Sequence, residues 1–334
     1  MDSSTDPVES RIAKVAAVDM PESGTLYDRI TQRVIAALEA GTTPWARPWA
    51  TRDGGPNNIV TGHTYQGINV LMLWMEAAIR GYRSDRWITA RWLFNEGMKQ
   101  GMKLRRRPGF EEGQKTGQHT AMVIYWGKRK AKGDDTVSDG EAEKDRFHGV
   151  FAKSYGVFNL DQVDGVPDEW IDDAITVGAP PMTSAAERFT ANLGARIDVG
   201  GNQASYSPQL DRIRMPAYDR FLEKQAAGVE AETHYWGTLF HELTHWTGHA
   251  SRLNRDGITG ERNRRAYAYE ELIAEMGSAF ASARFGYDAI QAHASYVDHW
   301  ISALKRDNRL IVRAAAAAQR AVEFMVNLQP KEPS

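Results

Sequence analysis

The sequence predicts an α+β protein of two domains, and three observations support this fold class. Apolar residues recur at three- and four-residue steps in several stretches, which is typical of helices, and alternate with polar residues in others, which is typical of strands. A stretch rich in Asp, Gly and Pro, residues 161–181, separates the two halves of the 334-residue chain, which is long enough for two domains. We therefore predict a disordered N-terminal segment (1–24), a first domain (25–160), a linker (161–182) and a second domain (183–330).

Composition excludes several classes of protein. The chain has no cysteine, so it forms neither disulfides nor thiolate metal sites, which fits a reducing cytoplasm. The first 24 residues are polar and mixed in charge, and they show no signal peptide. The longest apolar run, Ile68 to Ile79, is interrupted by Asn69 and Glu76 and is too short to cross a bilayer. We expect a cytoplasmic protein without a membrane partner.

The first domain is predicted to combine helices with strands. Helical spacing predicts helices at Leu26–Ala40, Ile68–Arg80 and Trp87–Gly97. Alternation predicts a strand at His119–Trp126 and a strand or hairpin at Phe147–Leu160.

Positive charge and aromatic side chains are concentrated in one part of this domain. Residues 80–132 hold 14 Lys or Arg against four Asp or Glu, with seven aromatic residues, although the whole chain has a net charge of −2. Positive charge follows a phosphate backbone and aromatic faces stack on exposed bases, which is the combination used on single-stranded DNA. The alternatives are duplex DNA, or a solvated basic surface with the tryptophans in the core. The candidate DNA contacts are Trp45, Arg47, Trp49, Tyr65, Asn69, Arg86, Trp87, Arg91, Trp92, Lys103, Arg105, Arg106 and Arg107.

The second domain is predicted to be mostly helical, with a small sheet. Helices are predicted at Ser184–Gly194, Ala217–Ala227, Arg262–Phe285, His293–Lys305 and Arg313–Leu328, and two strands within Arg196–Met215. One more helix carries the stretch HELTHWTGH. Thr233 is its predicted N-cap, and Gly248 is its predicted stop because glycine accepts the left-handed conformation that usually follows the last turn.

The stretch HELTHWTGH contains the pattern His-Glu-x-x-His. An α-helix turns about 100° per residue, so His241 and His245 lie on one face and can aim both imidazoles at one metal ion. Glu242 lies one position round the helix, where it can take a proton from water without being a ligand. The alternative is a chance occurrence on a buried helix. His and Glu ligation suits Zn²⁺, with Mn²⁺ or another divalent ion as the alternative.

The third metal ligand is expected from a second helix. The metzincin continuation requires a histidine where this chain has Ser251, so that version fails. The stretch YAYEELIAEMGSAF offers Glu271, which we predict as the third ligand, and Glu275 one turn later, which we predict to orient a ligating histidine. Glu271-x-x-Ala274-Glu275 resembles the corresponding element of thermolysin-like gluzincins. Glu270 is the competing ligand, and an ordinary solvated helix face is the alternative for all three acids. Candidates for stabilising an oxyanion are Tyr267, Tyr269, His249 and His234.

The motifs together resemble those of the ArdC-type antirestriction proteins of conjugative plasmids and related mobile elements, from about Tyr27 onward. In the N-terminal half the resemblance rests on TPWARPW, Pro56-Asn57, Thr61-Gly62, Tyr65-Gln66-Gly67-Ile68-Asn69, Trp87-x-Thr89 and Val157-Phe158-Asn159. In the C-terminal half it rests on Asp211-x-Ile213-x-Met215-Pro216, HELTHWTGH, Arg252-Leu253 and YAYEELIAE.

The resemblance implies a single-stranded-DNA-binding domain, similar to one found in plasmid primases, followed by a zincin-like (gluzincin-type) metallopeptidase domain. It implies protection of incoming plasmid DNA from host restriction enzymes. We expect a protein substrate or a host restriction enzyme as a protein partner. Two alternatives stay open. The chain is an active zinc protease that its DNA-binding domain only localises, or it is a DNA-coating protein whose metal site is structural or vestigial.

Overall fold

The computed structural model describes residues 24–41, 43–45, 55–106, 118–128, 150–170, 183–222, 231–259, 264–287 and 294–330. The α-helices, numbered α1 to α10, are Leu26–Glu39, Ile68–Arg80, Ala90–Trp92, Thr183–Asn192, Asp219–Leu222, Ala231–Thr247, Asp256–Thr259, Arg264–Arg284, Ala294–Arg306 and Leu310–Asn327. The strands, numbered β1 to β9, are Asn57–Asn58, Arg86–Thr89, Lys103–Leu104, Ala121–Lys128, Val150–Asn159, Val163–Asp164, Arg196–Val199, Ser205–Ser207 and Arg212–Met215. The segment predicted to be disordered lies outside the described residues, apart from Gly24.

A four-stranded sheet, in the order β1-β2-β5-β4, organises the N-terminal half. The β1 and β2 strands are parallel, whereas β2–β5 and β4–β5 are antiparallel. Strand β4 is at the edge of the sheet, and Asn69 of α2 pairs with it. The Asn69 side chain donates to the carbonyl of Ile124 (2.8 Å) and accepts from its backbone N–H (2.7 Å). This pairing satisfies backbone groups that an edge strand would otherwise leave open.

The helix predicted at Trp87–Gly97 is wrong over its first three residues. Trp87, Ile88 and Thr89 belong to β2 and pair with β5, where β-branched and aromatic side chains pack well. The helical part begins only after Thr89, whose hydroxyl accepts from the backbone N–H of Trp92 (3.3 Å) as an N-cap. It continues as a π-helical turn at Leu93–Gly97 and a 3₁₀ turn at Met98–Gln100.

The start of the predicted linker is ordered and belongs to the N-terminal half. Strand β6 pairs with β3, and 3₁₀ turns occupy Leu160–Gln162 and Asp168–Trp170. Residues 171–182 lie outside the described part of the chain.

The C-terminal half places a three-stranded sheet, in the order β7-β9-β8, beside a group of helices. Strand β9 is central, parallel to β7 and antiparallel to β8. The sequence predicted two strands in this stretch, and the structure has three. Helix α6 packs against α8, α10, β8 and β9, so the sheet edge at β8 lies next to the helix that carries the histidines.

One hydrophobic core runs through both halves. Helix α1 packs on α9, and α2 packs on α10. The ring of Trp45 contacts that of Trp300 (centroids 5.6 Å apart), and Trp74 contacts Phe280 (5.9 Å). Aromatic side chains of the N-terminal half are therefore buried against helices of the C-terminal half.

Candidate functional site

Helices α6 and α8 cross closely, and small residues make this possible. A Cβ placed on Gly277 of α8 would lie 2.5 Å from the side chain of Thr244 on α6. One residue further on, the Ser278 hydroxyl donates to the backbone carbonyl of Gly237 (2.7 Å). On its other side α6 buries its apolar residues, Trp236, Leu239, Phe240, Leu243 and Trp246. The helix is therefore fixed with its histidines facing α8.

Three side chains of these helices converge on one point. His241 Nε2 and His245 Nε2 lie 3.1 Å apart, and each lies 3.5 Å from a carboxylate oxygen of Glu271. Ligands that each lie 2.0–2.2 Å from a tetrahedral zinc ion are separated by roughly 3.3–3.6 Å. The donor atoms thus have the spacing that one small divalent ion requires. The three residues form a candidate metal group in the described part of the chain.

The electrostatics of the group favour a cation. Burial alone would lower the pKa of His245, but hydrogen bonds to Glu270 and Glu271 outweigh it and raise this pKa to about 10. Burial alone would raise the pKa of Glu271, but hydrogen bonds from His241 and His245 hold it well below its usual range. All three residues are at most 9% exposed, so their charges are poorly screened by water.

Glu270 orients the second histidine. Its Oε1 lies 3.2 Å from His245 Nδ1, the ring nitrogen that faces away from the candidate ion. Arg255 holds Glu270 in turn, with Nη2 donating to Oε1 (2.6 Å) and Nε to Oε2 (3.0 Å). Such outer hydrogen bonds fix the tautomer and orientation of a ligating histidine. Glu270, the competing ligand in the sequence analysis, thus contacts the outer ring nitrogen of a histidine, which is the contact that the sequence predicts for Glu275.

Glu275 is buried one turn beyond Glu271 on the same helix. Its predicted role in orienting a histidine stays a prediction. The sequence analysis identified neither Arg255 nor its contact with Glu270. Arg255 reaches the site only because the chain turns back after α6. The one available signal was an arginine shortly after a helix that ends in a buried motif.

Gly248 ends the motif helix, but not for the predicted reason. Helix α6 ends at Thr247, and Gly248 does not have the positive φ that was expected of it. A Cβ at this position would instead lie 2.8 Å from Arg255 Nη2, which donates to the carbonyl of Thr244 in the last turn of α6 (2.6 Å). Glycine therefore provides space for the arginine that caps the helix. Thr233 is not the N-cap either, since α6 begins at Ala231.

The position of Glu242 suits a proton acceptor. It follows His241 on α6, and it is 8% exposed. Over the described ranges, no side chain forms a hydrogen bond or an ion pair with its carboxylate. A carboxylate that no neighbour engages directly, one position from a ligand, is available to water in the site.

Among the four candidates for an oxyanion stabiliser, Tyr267 is tied to a predicted ligand. Burial and a hydrogen bond to Glu271 raise the pKa of the Tyr267 hydroxyl, which therefore keeps its proton. His249 is instead hydrogen-bonded through its Nδ1 to the hydroxyl of Ser251 (2.8 Å). The oxyanion roles of all four residues stay predictions.

An ionic cluster fixes the sheet edge to the end of the motif helix. Arg252 donates to the carbonyl of Trp246 (2.6 Å), pairs with Asp211 in the turn between β8 and β9, and contacts the hydroxyl of Tyr206 in β8 (3.2 Å). Its guanidinium also lies over the ring of Trp246, 4.0 Å from the centroid. Edge strand β8 is thereby held beside α6.

Several predicted DNA contacts prove to be structural, and these predictions are corrected. Trp45 is 0% exposed, Trp87 is 1% exposed and Tyr65 is 7% exposed, so their rings cannot stack on a base. Asn69 is occupied by the backbone of β4. Of these aromatics only Trp87 lies in the basic segment 80–132, and all three are buried in the core.

The remaining candidates differ in exposure. Arg91, Lys103, Arg105 and Arg106 are exposed, as phosphate contacts must be. Arg86 is half-buried and donates to the carbonyl of Trp170 (3.0 Å), and Trp92 packs against Trp170 (5.8 Å between centroids). The other three candidates, Arg47, Trp49 and Arg107, lie outside the described residues.

Fold and site together define a class of protein: a zincin-type domain, with two histidines and a glutamate on two crossing helices, joined to an α+β domain. A model of the zincin-like metallopeptidases matches residues 184–317, and a model of the N-terminal domain of the anti-restriction factor ArdC matches residues 24–158. The Mn(II)-bound crystal structure of the antirestriction ArdC protein from plasmid R388 has a TM-score of 0.67 and 34% identity, covering 91% of this chain and 98% of that one. The chain therefore belongs to the family of ArdC antirestriction proteins.

Three further matches extend this comparison. The metal-free structure of the R388 protein gives a TM-score of 0.66 at 35% identity. The uncharacterised protein y4eC of Sinorhizobium fredii is 34% identical over 314 residues, which cover 91% of this chain and 93% of the relative. The DNA primase TraC of Escherichia coli is 32% identical over 321 residues, but this chain spans only 27% of the primase.

The comparisons confirm the predicted fold class and family. They also support a divalent metal ion as the cofactor and indicate DNA as a partner. A zincin-like domain implies zinc, and the Mn(II)-bound relative and the His–His–Glu group both fit a divalent ion. Membership in the family indicates DNA as a partner. None of the helices in the described ranges combines the length and apolar character needed to span a bilayer.

Proposed function

We propose that this chain protects the DNA of a mobile element from restriction, with two activities in one molecule. The N-terminal half binds single-stranded DNA, and the C-terminal half is a metal-dependent peptide hydrolase. The observation that carries the hydrolase is the convergence of His241, His245 and Glu271 at the spacing of ligands to one ion. Family membership and the exposed cations of the N-terminal half support the DNA-binding activity.

Each residue of the site has a role in this proposal. His241, His245 and Glu271 hold the divalent ion, which supplies Lewis acidity and lowers the pKa of water towards neutrality. Glu270 fixes the ring of His245 through its Nδ1. Glu242 accepts the proton of the attacking water and delivers it to the leaving amine. Tyr267 keeps its proton, and its hydroxyl turns from Glu271 to donate to the charge that develops on the substrate carbonyl.

A peptide substrate fits the sheet edge beside the site. Strand β8 pairs with β9 on one side, and over the described residues no strand pairs with its other side. An extended peptide can add to such an edge through main-chain hydrogen bonds. Since α6 packs against β8, an added strand runs close to the motif helix. Protein substrates, a host restriction enzyme among them, suit this arrangement better than small molecules.

The variant Glu242→Gln tests the division of labour. It keeps the size of the side chain but removes the proton acceptor. We expect loss of proteolysis with unchanged metal content and unchanged affinity for single-stranded DNA. Simultaneous loss of proteolysis and DNA binding would contradict a separation of the two activities.

Protection from restriction in cells distinguishes the open alternatives. If Glu242→Gln abolishes protection, hydrolysis is part of the function. If protection persists, the DNA-binding half suffices, and the coating alternative replaces the hydrolase part of the proposal. The matched control is Glu232→Gln on the same helix, away from the histidines. The carboxylate of Glu232 accepts a hydrogen bond from the Thr183 hydroxyl.

A further inference from the structure

The hairpin formed by β4 and β5 exposes large aromatic side chains on its surface. Tyr125 is 57% exposed and Tyr155 is 39% exposed, although rings of this size are usually mostly buried in a monomer. Neither residue was among the DNA contacts predicted from the sequence.

Register places these side chains on one face of the sheet. Tyr125 is opposite Lys153, Gly127 is opposite Phe151, and Val123 is opposite Tyr155. Directly opposed residues, and residues two apart, share a face. Contacts agree, because Tyr125 and Phe151 have ring centroids 6.5 Å apart and Lys153 Nζ lies 5.6 Å from the centroid of Tyr155. We call Tyr125, Phe151, Lys153 and Tyr155 the hairpin platform.

Gly127 allows the ring of Phe151 to cover the sheet surface. A Cβ at position 127 would lie 2.4 Å from Cζ and 2.6 Å from Cε1 of Phe151. Only glycine at position 127 leaves room for the ring, because any other residue would place a Cβ there. The ring therefore occupies the place above Gly127 that a side chain would fill, next to the ring of Tyr125.

We infer that the hairpin platform is a stacking surface for the bases of single-stranded DNA. Bases that are free of a partner strand present flat apolar faces, and exposed aromatic rings bind such faces whatever the sequence. Lys153 supplies positive charge for the phosphates between the stacked bases. Duplex DNA is excluded as the main ligand, since its bases are already stacked within the helix. This inference rests on the proposed binding of single-stranded DNA, and it adds the residues that perform it.

The platform is separate from the predicted cationic contacts. The backbone carbonyl of Arg105 accepts a hydrogen bond from Gln118 (2.9 Å), three residues before β4 begins, whereas the platform lies towards the other end of β4. The rings of the platform and the predicted cationic contacts near Arg105 can therefore be removed independently.

The test compares binding of oligothymidylate, measured by fluorescence anisotropy, between wild type and Tyr125→Ala/Tyr155→Ala. Removing both rings should weaken binding by tenfold or more, because each stacked base contributes substantially. Tyr125→Phe/Tyr155→Phe keeps the rings and should bind like wild type. Tyr218→Ala removes a tyrosine that is 41% exposed in the C-terminal half, and it serves as the matched control.

A strand without bases makes the test specific to stacking. Wild type should prefer oligothymidylate to an abasic strand of the same length, and the double alanine variant should lose this preference while its salt dependence stays unchanged. Lys153→Gln should instead flatten the salt dependence. If wild type binds the strand and the double alanine variant binds it equally well, the platform is wrong but the proposed DNA binding stands. If wild type does not bind single-stranded DNA, the proposed function fails with it.

Discussion

Three acidic residues of α8, Glu270, Glu271 and Glu275, are each at most 6% exposed, which is costly for carboxylates without compensation. Their surroundings separate their roles. Glu271 faces both histidines, and Glu270 is rotated by about 100° towards Arg255 and the far side of the His245 ring. A single helix thus supplies a proposed ligand, Glu271, and a carboxylate, Glu270, that contacts another proposed ligand.

We predict that Glu270→Gln weakens metal binding by roughly tenfold to a hundredfold, the usual effect of losing an outer carboxylate. The amide no longer compensates Arg255 or fixes the His245 tautomer. Competition with a chelator measures the affinity. Glu275→Gln, at the residue the sequence favoured for this role, is the comparison. Equal or stronger weakening by Glu275→Gln than by Glu270→Gln would contradict the assignment.

The residues of the site were predictable from sequence where local periodicity decides their position. His241 and His245 share a helix face whatever the tertiary structure, because they are four residues apart. Glu271 was chosen because it begins the pattern Glu271-x-x-Ala274-Glu275 on a second helix. The role of Glu270 was not predictable, because it depends on the turn that brings Arg255 back across the end of α6. Likewise, composition indicated a nucleic-acid surface, but it could not separate buried tryptophans from exposed tyrosines.

At the scale of elements, a buried ion pair fixes α1 to α2. Arg33 of α1 pairs with Glu76 of α2, and Arg80 donates to the same carboxylate (3.0 Å). Burial alone would raise the pKa of Glu76, but the charge and hydrogen bond of Arg33 outweigh it and hold this pKa below its usual range. The folded pKa is below the unfolded value of about 4.3, so the pair stabilises the fold above that pH. The contribution is lost as the pH falls through the folded value.

We predict that Glu76→Gln lowers the free energy of unfolding at neutral pH by ~3–5 kcal/mol, because it leaves Arg33 buried without its charge partner. Urea denaturation measures the change. Glu39→Gln breaks an exposed pair with Lys305 and should cost at most ~1 kcal/mol. Replacing both partners, as Arg33→Met/Glu76→Leu, should recover most of the loss. A cost for Glu76→Gln as small as that for Glu39→Gln would contradict this account.

Sequence patterns identified most elements because each carries its own periodicity, as α2 does from Ile68 to Arg80. They failed at Trp87–Thr89, where pairing with β5 outweighs a helical pattern of apolar residues. They also missed strand β8, whose three residues are too few to show a pattern. Both errors arise from long-range pairing, which local sequence does not contain.

At the scale of the whole molecule, the two halves are not independent bodies. The core that contains Ile30 and Trp74 of the N-terminal half also contains Phe280 and Trp300 of the C-terminal half. A sequence that predicts two domains gives no sign of this, because the contacts join residues more than 200 positions apart in the chain.

We predict a single cooperative unfolding transition, since removing either half exposes the core of the other. Tryptophan fluorescence and far-ultraviolet circular dichroism should give the same midpoint in urea. Two separate transitions, or an N-terminal fragment 24–170 that is as stable as the full chain, would contradict a shared core.

The most direct test of the metal centre is the metal content of purified protein after dialysis against zinc or manganese. We predict one ion per chain for wild type and for Glu242→Gln, because Glu242 is not a ligand. His245→Ala and Glu271→Ala should each lose the ion while remaining folded by circular dichroism. Full metal content in a folded Glu271→Ala variant would contradict the convergence of the two helices on one ion.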